Sequence, residues 1–197
     1  DTYSINATSD AEVNGTLNAS QGGDQWFGSL DINSGGTYYA TNGTTTITSE
    51  EGSHYAFYNN GGTLTHNSGI FNFTQTASEG AYSQIYDNGA GDLNNLVVGT
   101  TGSNQLRQIG ALTIEGNLTS EASSEYAFGG SSTRHLTVNQ NVVIDGDVNG
   151  VSNGASGTFG SLTINSGGTY SATSGTTSID GDLDNNAGSS GYVHNDG

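Results

Sequence analysis

Residues 28–50, GSLDINSGGTYYATNGTTTITSE, return 132 positions later as GSLTINSGGTYSATSGTTSIDGD, with 16 of the 23 positions identical. The correspondence extends outward from this block. YSIN at Tyr3 to Asn6 answers LTVN at Leu136 to Asn139, VNGTL at Val13 to Leu17 answers IDGDV at Ile144 to Val148, and HNSG ending at Gly69 answers HNDG ending at Gly197. Residues 3–69 and 136–197 are therefore one unit written twice, linked by residues 70–135, within a single elongated domain of 197 residues. A unit recurring at this length, with offsets that drift by a residue or two, marks stacked repeats rather than a globule built around one site.

Composition agrees with a thin interior. Leu, Ile, Val and Phe supply 36 of the 197 residues, a share that by itself places the chain among disordered sequences. However, only 11% of residues are charged, and the apolar residues fall in regular short alternations. Such a chain buries narrow rows of side chains, which is what stacked rungs need when their backbones pair with the rungs on either side.

The alternations read as strands. Apolar pairs at Leu30/Ile32, Leu96/Val98, Leu112/Ile114, Leu136/Val138 and Leu162/Ile164 each put two side chains on one face of an extended segment. The pairs from Leu96 onward are 16, 24 and 26 residues apart, which suits coils of about 20–25 residues. A second pattern, apolar-x-Gly-x-apolar, occurs as VNGTL at 13–17, IEGNL at 114–118, IDGDV at 144–148 and IDGDL at 179–183. Asn-Gly and Asp-Gly in that setting ordinarily signal hairpins. In a solenoid they form corners, with Gly expected there for its access to positive φ. No window keeps helical periodicity, and Gly, Thr, Ser and Asn dominate throughout. ASEGAYSQIYDNG at 77–89, the stretch most tolerant of helix, reads as a loop or short insertion. The expected class is all-β: a β-solenoid or parallel β-helix-like stack of short strands.

Charge limits the partners. Two basic residues, Arg107 and Arg134, stand against 19 acidic ones, for a net charge of −17. Phosphate backbones and anionic lipid heads are repelled by such a surface, and no basic stripe exists to hold nucleic acid. No apolar run approaches the roughly 18 residues of a membrane span, so membrane insertion is not expected. Cysteine is absent, which agrees with an extracellular or cell-surface setting in which neither disulfides nor free thiols are used. A chain opening on Asp1 reads as a processed form or as an excerpt of something longer.

GGTLTHNSGIFNFT at 61–74, DLNNLVVG at 92–99, LTIEGNLT at 112–119 and the two GSLxINSGGTY blocks resemble the Gly/Asn/Thr-rich repeat segments of secreted bacterial and archaeal surface proteins, among them autotransporter-type and filamentous adhesins. Similar segments occur in phage structural proteins. The resemblance implies a parallel β-helix or related solenoid with a structural or adhesive role, with a carbohydrate or cell-surface ligand as a candidate partner. It carries no catalytic residues with it.

Enzymatic readings find little support. His66 and His194 occupy the same place in the duplicated unit, as a turn residue does, and His54 and His135 lie in polar strands without triad spacing. Glu50 with Glu51, or Glu121 with Glu125, would serve as carboxylate pairs, but acids in so acidic a chain are ordinarily solvated. The strongest ligand site is a calcium candidate. Asp180, Asp182 and Asp184 alternate in DGDLDNN, and Asp145 and Asp147 stand in the related IDGD, all hard oxygen donors. Against it, Asn185 and Gly191 stand where an EF-hand loop needs Gly and Glu, and Asp also suits corner turns on its own account. Six glycosylation sequons occur, at Asn6, Asn14, Asn18, Asn42, Asn72 and Asn117, about the number that composition alone predicts. Tyr, Phe and Trp26 read as stacking ladders and contact anchors. Thr-rich strands such as GTTTIT at 43–48 lack the rung-by-rung TxT spacing of an ice-binding face.

Aligning the two repeats locates the expected assembly surface. After HNSG the first unit continues as IFNFT, residues 70–74, whereas the second unit reaches HNDG at Gly197. The strand-like opening segment Asp1, Thr2, Tyr3, Ser4, Ile5 and Asn6 of a neighbouring copy, set against Tyr192, Val193 and His194, would supply that strand. Head-to-tail contacts of this kind generate open filaments. The sequence thus favours a non-enzymatic, self-assembling extracellular filament, sheath or fibre subunit without a cofactor other than the calcium candidate. Viral fibre or capsid decoration, an adhesin segment and a carbohydrate-active β-helix are the alternatives.

Overall fold

In the computed structural model the chain winds into a parallel β-solenoid of about eight turns. Residues 3–48, 55–74, 82–100, 104–129, 134–151 and 154–195 are described below. Every strand pairing among them is parallel, so the Asn-Gly and Asp-Gly motifs make corners and no hairpins. Three stacks of strands result. The first runs from Asn6 and Ala7 through residues 25–27, Thr44–Ile47, Ile70–Phe73, Asn95–Val98, Leu118–Ser120, residues 141–144 and 161–164 to Leu183–Asn185. The second climbs from residues 10–13 through 29–32, Tyr55–Asn59, Tyr82–Asp87, Gln105–Ile109, Glu125–Ala127, Asp147–Asn149 and Thr169–Ser171 to Tyr192–Val193. The third holds Thr16–Asn18, Thr37–Tyr39, Thr63–Thr65, bridges at Ala90 and Leu93, Leu112–Ile114, and residues 136–138, 157–159 and 177–179.

Turn length follows from the first stack. Phe27, Ile47, Phe73, Val98, Ser120, Ile144, Ile164 and Asn185 are successive partners, so along this stack one circuit takes between 20 and 26 residues, while in the second stack the partners Val13 and Ile32 are 19 apart and Asn59 and Asp87 are 28 apart. The apolar pairs seen in the sequence do not share one stack: Leu96/Val98 and Leu162/Ile164 stand in the first, Leu112/Ile114 and Leu136/Val138 in the third, and Leu30/Ile32 in the second. Their uneven spacing mixes full turns with parts of turns. Tyr82–Asp87, inside the stretch expected to be a loop or insertion, is a strand of the second stack. Its partners on both sides, Tyr55–Asn59 and Gln105–Ile109, recruit a segment whose own polarity predicts nothing.

The duplicated unit is placed out of phase. In the first repeat the block beginning at Gly28 runs from the second stack to the third and then the first. In the second repeat the same block runs from the first stack to the second and then the third. Local contacts are nonetheless the same. Phe27 meets Tyr38 edge-on at 6.0 Å and Phe159 meets Tyr170 edge-on at 5.7 Å. The Tyr38 hydroxyl lies 3.2 Å from Thr45 Oγ1, and that of Tyr170 3.0 Å from Thr177 Oγ1. Asn33 Nδ2 donates to Asn14 Oδ1 and Asn165 Nδ2 to Asp145 Oδ1, each at 2.9 Å. A module that satisfies its own corner works on any face.

The interior is a narrow column of apolar rows. Phe57, Phe71 and Phe73, with Leu96, Leu118, Val142 and Leu162, are fully buried. Toward the far end Tyr126, Phe128, Phe159, Tyr170 and Tyr192 form a chain of ring contacts 5.5–6.5 Å apart. Contacts of this kind contribute roughly 0.5–1.5 kcal/mol each beyond area burial.

Glycine in the apolar-x-Gly-x-apolar corners answers to closeness between turns, whereas Gly35 and Gly167 of the repeated block hold φ of 83° and 97°. Gly15, Gly116, Gly146 and Gly181, the central residues of the apolar-x-Gly-x-apolar motifs, all lack positive φ, contrary to expectation. Instead, a Cβ on Gly146 would lie 2.3 Å from the Glu121 carbonyl oxygen of the preceding turn, and one on Gly116 2.4 Å from Asn95 Oδ1. Gly15, in the first turn, has nothing within 4 Å of that position. Gly146→Ala should therefore destabilise the fold by about 2–3 kcal/mol through overpacking against backbone. Gly15→Ala should stay within about 0.5 kcal/mol of the parent, as surface substitutions do. Urea denaturation of the two variants, followed by circular dichroism, makes the comparison.

Candidate functional site

Three regions gather the polar chemistry: the corners, the outer face of the second stack, and the two ends of the column. At the corners side chains are consumed by ladders between turns. Asn117 donates from its backbone N–H to Asn95 Oδ1 at 2.9 Å, and Asn141 N–H donates to Asn117 Oδ1 at 3.1 Å. Thr44 N–H reaches Asp24 Oδ1 at 2.8 Å in the same position of earlier turns, and Asp182 N–H reaches Ser161 Oγ at 3.3 Å in later ones. These side chains take over hydrogen bonds that the sheet ladder drops where the chain bends.

The calcium candidates fall at two corners. Asp145 accepts from Asn165 at the corner between the first and second stacks, and the exposed Asp147 begins a strand of the second. Asp180 and Asp182 flank the corner between the third and first stacks, and Asp184 points outward from the first. Among the described residues no three His, Asp or Glu side chains converge to hold a metal ion.

His66 is a corner device. His66 Nδ1 accepts the Ser68 N–H at 2.9 Å, which leaves Nε2 as the protonated nitrogen, donating to Glu115 Oε2 at 3.1 Å. Both ring nitrogens are engaged, and the contact steadies a turn in which Asn67 and Ser68 hold φ of 48° and 60°. Asn67 Nδ2 ties this turn to the Ala40 carbonyl at 2.6 Å. In the second repeat Asn195 does the same to Ala172 at 2.7 Å, beside His194. His135 Nδ1 meets Ser156 Oγ at 2.5 Å on the outer face of the third stack, a contact between turns that the sequence did not suggest. His54, Glu50 and Glu51 lie outside the described residues.

On the outer face of the second stack Tyr58 stacks on Tyr86 at 5.2 Å and meets Tyr55 at 4.6 Å with the rings tilted by 42°, and the Arg107 guanidinium sits 3.9 Å over the Tyr82 ring. This is the ladder of aromatic anchors expected from composition. Below it Asp31, between Glu12 and Tyr58 in the same outward row, has its carboxyl raised above the usual range by burial and by the charges of Asp10 and Glu12.

Of the sequon residues, Asn6, Asn14, Asn18 and Asn42 are exposed. Asn14 accepts from Asn33, and Asn18 accepts from Ser20. Asn72 has a buried Oδ1, and Asn117 sits inside the corner ladder.

No motif in the sequence marks Asp87. It points into the column, where the wholly buried Asn59 donates to its Oδ1 at 2.9 Å. Burial pushes its carboxyl up to about 6, with the Gly89 N–H and Asn59 opposing and Asp92 adding slightly. Above that pH the folded state carries a poorly solvated charge that the unfolded chain would solvate freely. Stability therefore falls as pH rises from about 4 to about 6. Asp87→Asn should remove that slope and raise stability at pH 7 by about 2–3 kcal/mol, the equivalent of two pKa units. Thermal melts of parent and variant across pH 4–8 provide the measurement.

At the ends of the column the rows of the core reach the surface. Ile5, Ala7, Ala11 and Leu17 at one end, and Ile179 and Tyr192 at the other, are half-buried side chains packed on the core, and Leu183 and Val193 are 50% and 40% exposed. Tyr3 is anchored by its hydroxyl to the Asn18 carbonyl at 3.0 Å, and Ile5 by Gln25 Oε1 at 2.8 Å, with Ser4 and Asn6 exposed beside them. Asp1 and Thr2 lie outside the described residues. Tyr192 packs on Tyr170 at 5.5 Å, and the exposed His194 follows it. The expected assembly residues are thus divided between opposite ends of the solenoid. Comparison with protein-family models, curated proteins and solved structures finds no significant match. No helix among the described residues is long and apolar enough to cross a membrane.

Proposed function

We propose that this chain is a non-enzymatic structural subunit of an extracellular filament, sheath or surface fibre, polymerising head to tail by addition of strand to strand. The observation that carries the reading is the pair of apolar ends. Three buried rows of the core run on into half-exposed residues of the terminal turn: Leu162 into Leu183, Tyr170 into Tyr192, Phe159 into Ile179. Solenoids are ordinarily closed by polar or helical caps. Among the described residues the last turn carries one short helical turn, Gly188–Ser190, and Leu183 and Val193 are 50% and 40% exposed beside it. A second molecule in continuation would bury these rows and pair the free strand edges at once.

Support also comes from how side chains are used. Asn, Ser, Thr and His side chains at the corners hydrogen-bond from turn to turn, which stiffens a rod. Negative-stain microscopy of purified protein should show unbranched filaments one solenoid wide. Short symmetric fibres would favour the viral alternative, and dispersed folded particles at micromolar concentration would defeat the assembly reading. Deleting residues 1–9 should abolish filaments while leaving the β-sheet circular dichroism of the remaining turns in place.

A further inference from the structure

The far end of the column carries a cleft of about 240 Å³ lined by Ala172, Thr173, Gly175, Thr177, Tyr192 and His194. Each lining residue has a counterpart in the first repeat: Ala40, Thr41, Gly43, Thr45, Leu64 and His66. There the equivalent space is filled by the chain itself. Gly69 passes so near that a Cβ would lie 2.2 Å from the Thr41 carbonyl oxygen, and Ile70 N–H donates to the Gly43 carbonyl at 2.9 Å. Ile70–Phe73 then pairs in parallel with Thr44–Ile47, Phe71 beside Thr45 and Phe73 beside Ile47. Phe71 covers Phe57 edge-on at 5.8 Å, and Phe57 is fully buried. Leu183 holds the place of Phe57 in the second repeat, since these two pair with the equivalent residues Leu162 and Leu30, and Leu183 is 50% exposed. The first repeat is therefore a template for what the cleft receives.

We propose that the cleft is an acceptor groove for a parallel strand with apolar side chains at alternate positions, and that its occupant is the segment Ser4 to Ala7 of a second copy of this chain. This rests on the end-to-end reading and adds the register to it. Ile5 comes beside Thr177 and Ala7 beside Ile179, as Phe71 and Phe73 stand beside Thr45 and Ile47. Three observations select this segment. Ile5 and Ala7 already point toward the core of their own molecule and are half-buried. One edge of the Asn6–Val13 strand is paired with Gln25–Ile32 and the other faces away from the fold. The volumes also compensate, because Tyr192 is larger than its counterpart Leu64 while Ile5 is smaller than Phe71.

Continuing along the chain, Ala11 and Val13 come over Leu183–Asn185, and Leu17 comes over Tyr192. The first stack of the incoming molecule thus continues the third stack of the acceptor. The two molecules are turned by one face relative to each other, just as the internal repeats are.

The chain has no cysteine, so single substitutions report the register cleanly. Ser178 and Asn6 are opposed in the proposed arrangement, at a strand spacing that a disulfide spans. Asp184 and Asn6 would be opposed instead if each stack continued itself. Mixing S178C with N6C protein under oxidising conditions should give at least ten times more cross-linked dimer than mixing D184C with N6C. A synthetic peptide of residues 68–74, SGIFNFT, added in excess should shorten filaments several-fold, and a scrambled peptide should not. Filaments that cross-link through D184C, or that ignore the peptide, overturn this register while leaving end-to-end assembly standing. Peptide binding without filaments, read by fluorescence anisotropy of labelled peptide, overturns the second copy as occupant. Neither filaments nor peptide binding overturns both readings.

Discussion

Hydrogen bonding from each turn to the next, through parallel backbone ladders, is the constraint on which the rest of this structure depends. It holds successive turns about 4.8 Å apart, the spacing of strands in a sheet. At that distance a corner has no room for a side chain above the carbonyls of the preceding turn, which is why Gly146 and Gly116 must be glycine and why Gly15, with no turn beneath it, need not be. The same spacing sets like side chains in register. Asn meets Asn at 95, 117 and 141, and tyrosine stacks on tyrosine at 58 and 86.

A fold held this way tolerates a thin and partly polar interior. Gln108 is buried yet satisfied, accepting from the Tyr126 hydroxyl at 2.8 Å and donating to the Gly110 and His135 carbonyls, each at 2.8 Å. Ser120 and Ser124 pair at 2.9 Å in the same interior. Burial raises the phenol of Tyr38 to about 12 and moves those of Tyr126 and Tyr170 in the same direction, so these hydroxyls remain neutral partners within the column. Asp87 is the exception, an ionisable acid in a place where neighbours supply amides, and it makes the column sensitive to acid in the direction of greater stability.

Much of the architecture was legible in the sequence because it depends on local patterns. Alternating apolar pairs announce strands, and the repeated GSLxINSGGTY block announces stacking; both carry through to the structure. The HNSG and HNDG corners could also be matched from sequence, and their asparagines make the same contact in both repeats. What could not be read were contacts across turns. The 21 residues that separate His135 from Ser156, and the 28 between Asn59 and Asp87, correspond to no fixed period because circuits vary in length. The grouping of Asp145, Asp147, Asp180, Asp182 and Asp184 reads as one set in one dimension, whereas the winding of the chain places Asp145 and Asp147 at the corner into the second stack and Asp180, Asp182 and Asp184 at and just after the corner between the third and first.

The sequence by itself determined that this chain is a stack of short strands with equivalent corners, since alternation, corner residues and duplication are all properties of neighbours along the chain. Only the tertiary structure decided phase: which face each strand joins, and hence that the second repeat is turned by one face from the first. The physical reason is that every corner is satisfied by its own residues and by whatever turn lies beneath. The local code is therefore the same on all three faces. The face on which a strand lands depends on the number of strands that precede it, a quantity summed over the whole chain and written in no single motif.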